Sequence, residues 1–387
     1  MVFMRFLFCF TLLVGSPLLP LSVVIAWADQ KSDQRVGPTP ESGPTKGTHA
    51  KFNVDFRIAI TAPAKTRRLR VWLPLPPSTD SQIISNRSLR TFPRERTPEI
   101  AVEPVFGNTF AYFEFDSPDG ALEIQHTFTA EIAQLSWGVD YSIVNNVAKW
   151  PNQFDIYKKP DARSATAKDY QAIVEQIQAV SVKKSKQLMR AIEWVDQHLT
   201  YDSVNASLSA DPAHALKYRR GHCSDYHGLC GAFAREIGYP ARVLYGLQMF
   251  DKGSPSHCKL EVYMPPYGWV TYDLSETQKL AVKFNNDKSL VPSRRNELTD
   301  WVRQRTLKGF RENTWLLVTR GENFPLVPAA SNPVSIVRTI YAEADGVPLL
   351  ESDPVSKTLS WMTMQRVDEI GIHSRRFSEV TLPELSE

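Results

Sequence analysis

Cys223, His257 and Asp273 are the residues of this chain whose types and surroundings suit nucleophilic chemistry. A sulfur nucleophile needs a base to hold its proton and a third group to orient that base. Cys223 lies in the run Arg220-Gly221-His222-Cys223-Ser224-Asp225. Beyond it Leu229, Cys230, Phe233, Ala234 and Ile237 recur at the spacing of one helical face, and Gly238 and Pro240 end the pattern. Ser224 and Asp225 suit a helix start, so Cys223 is expected at the first turn. There the unpaired N–H groups and the helix dipole favour a thiolate over a thiol of ordinary pKa, about 8.5. Its polar neighbours predict a thiol that little covers; a buried structural cysteine is the alternative.

From His257 to Met264 the chain alternates His, Lys, Glu and Tyr with Cys258, Leu260, Val262 and Met264, the pattern of a half-buried strand. Pro265 to Gly268 interrupts it, and Trp269 to Asp273 reads as the second strand of a hairpin. With the turn centred near Pro266, His257 falls opposite Asp273 or a residue just beyond it, both on the face away from Cys258. A slip of one residue would turn Asp273 away. His227, one helical turn after Cys223, is a rival base, and His222 is expected to point elsewhere. The hairpin partnership with Asp273 favours His257 over both.

The run Gly221-His222-Cys223, the segment Glu236-Ile237-Gly238-Tyr239-Pro240-Ala241-Arg242-Val243, a strand to Gly246, then His257, then Gly268-Trp269-Val270-Thr271-Tyr272-Asp273 resemble, in this order and spacing, the core of the transglutaminase-like superfamily. The resemblance runs from about Leu188 to Leu280. It implies a papain-like α+β fold, a nucleophile helix packed on an antiparallel sheet, with a Cys-His-Asp triad at Cys223, His257 and Asp273. It also implies acyl transfer on a peptide or protein amide through a thioester. Release by water, as in a peptidase or amidase, is the reading adopted. Release by a lysine amine, the protein-glutamine gamma-glutamyltransferase reaction, is the alternative, and a non-catalytic binding module is the reading of another class. No cofactor or metal is called for, since His222, Cys223 and His227 lack zinc-ligand spacing.

Residues 1–28 carry Arg5, an apolar run from Phe6 and a closing Ala26-Trp27-Ala28, the pattern of a cleaved signal peptide. The chain is therefore expected to be secreted or periplasmic, free of membrane after cleavage; an uncleaved anchor is the alternative. Residues 29–50, rich in Pro, Gly, Ser and Thr, read as a flexible linker. Residues 51–136 read as a β-rich, sandwich-like domain, with alternation at Phe52, Val54, Phe56, Ile58 and Ile60 and strands at Leu69–Leu75, Thr109–Phe115 and Ala121–Ile132. The core is placed at 160–285, opening with a helical pattern between Ala167 and Leu199. Residues 286–387 read as an α/β extension completing the core: a helix at Glu297–Phe310, strands at Trp315–Thr319 and Val334–Tyr341, a turn at Asp345-Gly346, and a polar, partly disordered tail from Pro354.

A net charge of +3, from 45 basic and 42 acidic residues, offers no basic patch for nucleic acid. Cys223 and Cys230 lie two helical turns apart, too far to bridge. Cys230 and Cys258 are expected as core residues, a disulfide between them being the alternative in an oxidising compartment.

Overall fold

A four-stranded antiparallel sheet and one buried helix carry the candidate site. The structure is a computed structural model that describes residues 41–351 and 360–379. The signal-like segment 1–28 and the linker up to residue 40 lie outside the described residues.

In chain order the principal elements begin with six strands, β1 (Thr45–Thr61), β2 (Arg68–Leu75), β3 (Gln82–Phe92), β4 (Glu99–Val102), β5 (Thr109–Asp116) and β6 (Ala121–Ser136). Helices α1 (Tyr170–Ala179), α2 (Lys184–His198), α3 (Pro212–Tyr218) and α4 (Cys223–Ile237) follow. Then come β7 (Ala241–Gln248), β8 (Ser256–Met264), β9 (Gly268–Tyr272), α5 (Leu274–Asn286), α6 (Pro292–Leu307), β10 (Trp315–Arg320), β11 (Tyr341–Ala344) and β12 (Trp361–Glu369).

The α+β expectation holds, with antiparallel sheets. The site sheet has the order β9-β8-β7-β10. Helix α4 packs against β8 and is buried nearly all round, from Leu229, Phe233 and Ile237 on its apolar stripe to Asp225 and His227 on the other side. A helix covered on every face is a core helix, and α2, α3 and α5 pack on it. It stops where Gly238 adopts φ 102° and its N–H reaches back to the carbonyls of Ala234 and Arg235.

Strands β1, β3, β6 and β12 share one sheet, while β2, β4, β5 and β11 share another. In β1 the residues Phe52, Val54, Phe56, Ile58 and Ile60 are buried in strict alternation. The C-terminal segment therefore divides its loyalty, which corrects the reading of 286–387 as an extension of the core alone. β10 joins the site sheet, but β11 pairs with β2 and β12 with β1 over Phe52↔Glu369 to Ile60↔Trp361.

Three further boundaries differ from expectation. β1 begins at Thr45, inside the segment read as linker, because β6 extends to Ser136 and offers it backbone partners; ladder pairing needs no apolar side chains. The polar tail contributes the nine-residue strand β12 for the same reason. Residues 334–340 are irregular instead of a strand: Val334 and Val337, three apart, pack with Trp72, Phe110 and Phe324. Among the described residues no helix is long and apolar enough to cross a membrane.

Candidate active site

The three residues named from the sequence arrive at one place by different routes. Cys223 is the first residue of α4, after His222 at the N-cap, and the Asp225 carboxylate accepts the His222 N–H at 2.9 Å. Asp225 also accepts the Ser207 hydroxyl and N–H, so the polar residues around Cys223 are buried by hydrogen bonding. Cys223 itself is only 3% exposed, against the expectation of an open thiol. It packs with Val243, Tyr245 and Cys258, and Ile336 from the irregular 334–340 segment lies on this cluster.

His257 comes from β8, where it pairs with Gly246 of β7, and its carbonyl accepts the Trp315 indole N–H at 3.0 Å. Gly246 is required there: a Cβ would stand 2.3 Å from the Leu316 carbonyl and 2.5 Å from the Trp315 ring. β8 is buried on both faces, not one. Its polar face is covered because His257, Lys259 and Glu261 each find a charged partner, Glu261 through Arg242 at 2.7 Å.

Asp273 lies one residue past β9, at the N-cap of α5, where its Oδ1 accepts the Glu276 N–H at 3.0 Å. The hairpin register pairs Leu260 with Tyr272 and Met264 with Gly268, so continuing it sets Asp273 beside Lys259 and His257 beside Ser275. His257 Nε2–H nevertheless donates to Asp273 Oδ2 at 2.7 Å, because the chain turns into α5 at this residue. The pattern Asp273-Leu274-Ser275-Glu276 is the sequence signal for that turn.

The rivals are placed as clearly. His227 is fully buried, its Nδ1 3.3 Å from Cys258 Sγ and its Nε2 accepting the Leu274 N–H at 3.1 Å. His222 does not point elsewhere: its Nδ1 stands 2.9 Å from Cys223 Sγ, with its ring beside Tyr201 at 5.6 Å. Sequence reasoning missed Lys259, which donates to Asp273 Oδ2 and, at 2.9 and 3.0 Å, to both oxygens of Glu312. Its place two residues after His257, on the same strand face, was the available signal. Cys223, Cys230 and Cys258 are all free thiols. Among the described residues no group of three or more His, Cys, Asp or Glu is arranged to hold a metal ion.

Burial opposes charge at each of these groups, and their mutual contacts outweigh it. Burial pushes the Cys223 thiol up, yet the Cys258 hydrogen bond and the His222 and His257 rings hold it well below its ordinary value. Burial pushes His257 down, while the Asp273 carboxylate and the Cys223 sulfur raise it to about 10. Burial raises Asp273, and Lys259 and His257 hold it well below the carboxylate range. These directions together favour a thiolate–imidazolium pair over an ionised carboxylate.

This state sets a pH dependence. His257, raised from 6.5 to about 10, contributes stability that is full below 6.5 and lost as pH rises through its folded value. Cys223, depressed, contributes stability present above the free-thiol value of about 8.5 and lost as pH falls through its own folded value. Between about 6.5 and 8.5 the two cancel. Urea midpoints of the wild type should therefore be flat across that window and fall from about pH 8.5 to 10, whereas in Cys223→Ser the fall should begin near 6.5. A wild-type decline already under way at pH 7, matching that of the serine variant, would mean the sulfur is protonated.

Residues 171–274 match the profile of the transglutaminase-like superfamily core. The crystal structure of a candidate cysteine protease from Cytophaga hutchinsonii aligns with a TM-score of 0.52 at 15% identity, covering 84% of this chain and 100% of that one, a similarity of fold. An uncharacterized protein of Haemophilus influenzae is 25% identical over 158 residues, which are 35% of this chain and 41% of that protein, so the match spans less than half of that relative. Residues 171–274 thus carry a transglutaminase-like superfamily core, within an α+β fold with antiparallel sheets.

Proposed function

We propose that this chain is a secreted or periplasmic cysteine-dependent amide hydrolase that works by acyl transfer. The observation that supports the reading is His257 bonded to the Asp273 carboxylate at 2.7 Å, with the Cys223 sulfur among the groups that raise its pKa. Cys223 attacks the carbonyl of a peptide or protein amide, and the C–N bond breaks as His257 gives its proton to the leaving amine. Asp273 keeps His257 in the tautomer that presents Nδ1 to sulfur, because Nε2–H is committed to the carboxylate. The backbone N–H of Cys223, at the open end of α4, supplies one donor to the tetrahedral oxygen. Water then adds to the thioester as the now neutral His257 takes its proton, and the C–S bond breaks to release the acid and restore the thiolate. His222 also touches the sulfur, but among the described residues no carboxylate pairs with its ring, and this favours His257 as the base.

The test is turnover of an amide library by the purified chain lacking residues 1–28. Cys223→Ala and His257→Ala should each lose on the order of 10³-fold or more, and His222→Ala much less. Undiminished release of amine by Cys223→Ala would refute the reading. A parallel incubation of protein substrates with a labelled primary amine separates the outcomes: Cys223-dependent incorporation exceeding hydrolysis would make the chain a cross-linking transferase.

A further inference from the structure

The acyl-transfer reading uses His257 and Asp273, yet two other buried groups lie between the nucleophile and the start of α5. Cys258, 1% exposed, shares one buried cluster with Cys223, Val243 and Tyr245. His227, fully buried and one turn along α4, stands 3.3 Å from Cys258 Sγ through Nδ1.

The direction of each bond follows from donor chemistry. A backbone N–H can only donate, so His227 Nε2, which receives Leu274 N–H at 3.1 Å, is an acceptor without a proton. Asp273 Oδ1 at 3.7 Å is too far to take a hydrogen bond from it. Burial pushes His227 down to about 4, so the ring is neutral and its one proton sits on Nδ1. That N–H points at Cys258 Sγ. Burial pushes the Cys258 thiol well above its ordinary value, so it keeps its proton, and a sulfur that accepts from His227 has its own S–H left to donate. Cys223 is the nucleophile in the same buried cluster.

We propose that Leu274 N–H, His227 and Cys258 form a positioning relay that gives the Cys223 thiolate a hydrogen bond from a second sulfur, independent of His257. The inference rests on Cys223 being the nucleophile. No bond is made or broken at Cys258 and no proton leaves it; the relay favours the anion both before attack and when the thioester expels sulfur. It joins α4, β8 and the first turn of α5, so the residue that follows Asp273 also sets the charge on Cys223. Cys258 thereby has a task that a core filler of the same size would not perform.

The experiment is the pH titration of the thiolate absorbance, with iodoacetamide labelling at Cys223 read by peptide mass, in the wild type and in Cys258→Ala, Cys258→Val, Cys258→Ser and His227→Gln. The other groups facing Cys223 are His222, His257, Tyr201, Tyr245 and Lys252, and these variants leave all of them in place. Cys258→Ala and Cys258→Val should raise the Cys223 midpoint by about one unit, the size of a single hydrogen bond to a charged group, so that labelling below the midpoint drops about tenfold. Cys258→Ser keeps a donor and should recover most of the shift, and His227→Gln should move the midpoint the same way as alanine. Valine fills the volume of the thiol, so the Val and Ser pair decides if alanine fails to fold. A depressed wild-type midpoint unchanged in Cys258→Val and Cys258→Ala overturns the relay and leaves the acyl-transfer reading standing. A wild-type midpoint at the ordinary thiol value overturns both.

Discussion

Asp273→Ala is expected to lower folding stability by about 3–5 kcal/mol, the loss that follows removal of one partner from a buried ion pair. The carboxylate is 1% exposed and accepts from His257, Lys259, the Ser275 hydroxyl at 3.2 Å and the Glu276 N–H at 3.0 Å. Alanine deletes the N-cap of α5, leaves the His257 N–H without a partner and leaves Lys259 with Glu312 alone. The urea midpoint should fall with the slope unchanged. Asp273→Asn separates the roles: its oxygen still caps α5, so the stability loss is smaller, while amide turnover falls by about 10⁴-fold because the amide no longer fixes an imidazolium. A fully active Asn variant, or an Ala variant of wild-type stability, would remove Asp273 from the proposal. The sign of the pH effect also follows. A depressed carboxylate contributes stability that is present above the ordinary carboxyl value of about 4 and lost as pH falls through its folded value, so acid damage from Asp273 begins at about pH 4 and is complete only well below it.

Lys259→Met should be of similar size, for the complementary reason. Lys259 is fully buried, its ammonium lies between Asp273 and Glu312, and the rings of Trp315 and Phe377 stand 5.4 and 5.5 Å away. Methionine fills the stem's volume but takes the ammonium from the Glu312 carboxylate and leaves Asp273 with His257, the Ser275 hydroxyl and the Glu276 N–H, at a cost of about 3–5 kcal/mol. Burial pushes the lysine down and the two carboxylates more than restore it, so it is a fixed cation across the working pH range. Lys259→Met/Glu312→Gln should recover a substantial part of the loss, because the second change removes the stranded charge. Additive losses in that double-mutant cycle would show that the Lys259–Glu312 pair carries no coupling.

What the amino-acid order settled was local. The helix Cys223–Ile237 ends where Gly238 and Pro240 say it must, since capping and apolar spacing act within a few residues. The hairpin turn between Met264 and Gly268 follows from alternation broken by prolines. With the positions of Cys223, His257 and Asp273, this was enough to frame the proposed chemistry. The resemblance in residue order and spacing supplied the fold that joins them.

Tertiary structure alone decided the rest. β12 and the start of β1 carry too many polar residues to read as strands, and they pair because neighbouring strands offer backbone donors and acceptors far away in the chain. Polar spacing suggested an open thiol, but Asp225 and Ser207, 18 residues apart, satisfy one another, and Cys223 packs with Val243, Tyr245 and Cys258. The half-buried face expected of β8 became fully buried because Arg242 and Glu312, from outside the strand, neutralise its charges. Contacts between side chains distant in sequence carry no periodicity, so the second sulfur beside Cys223 and the buried lysine beside Asp273 became visible only once the fold had brought them there.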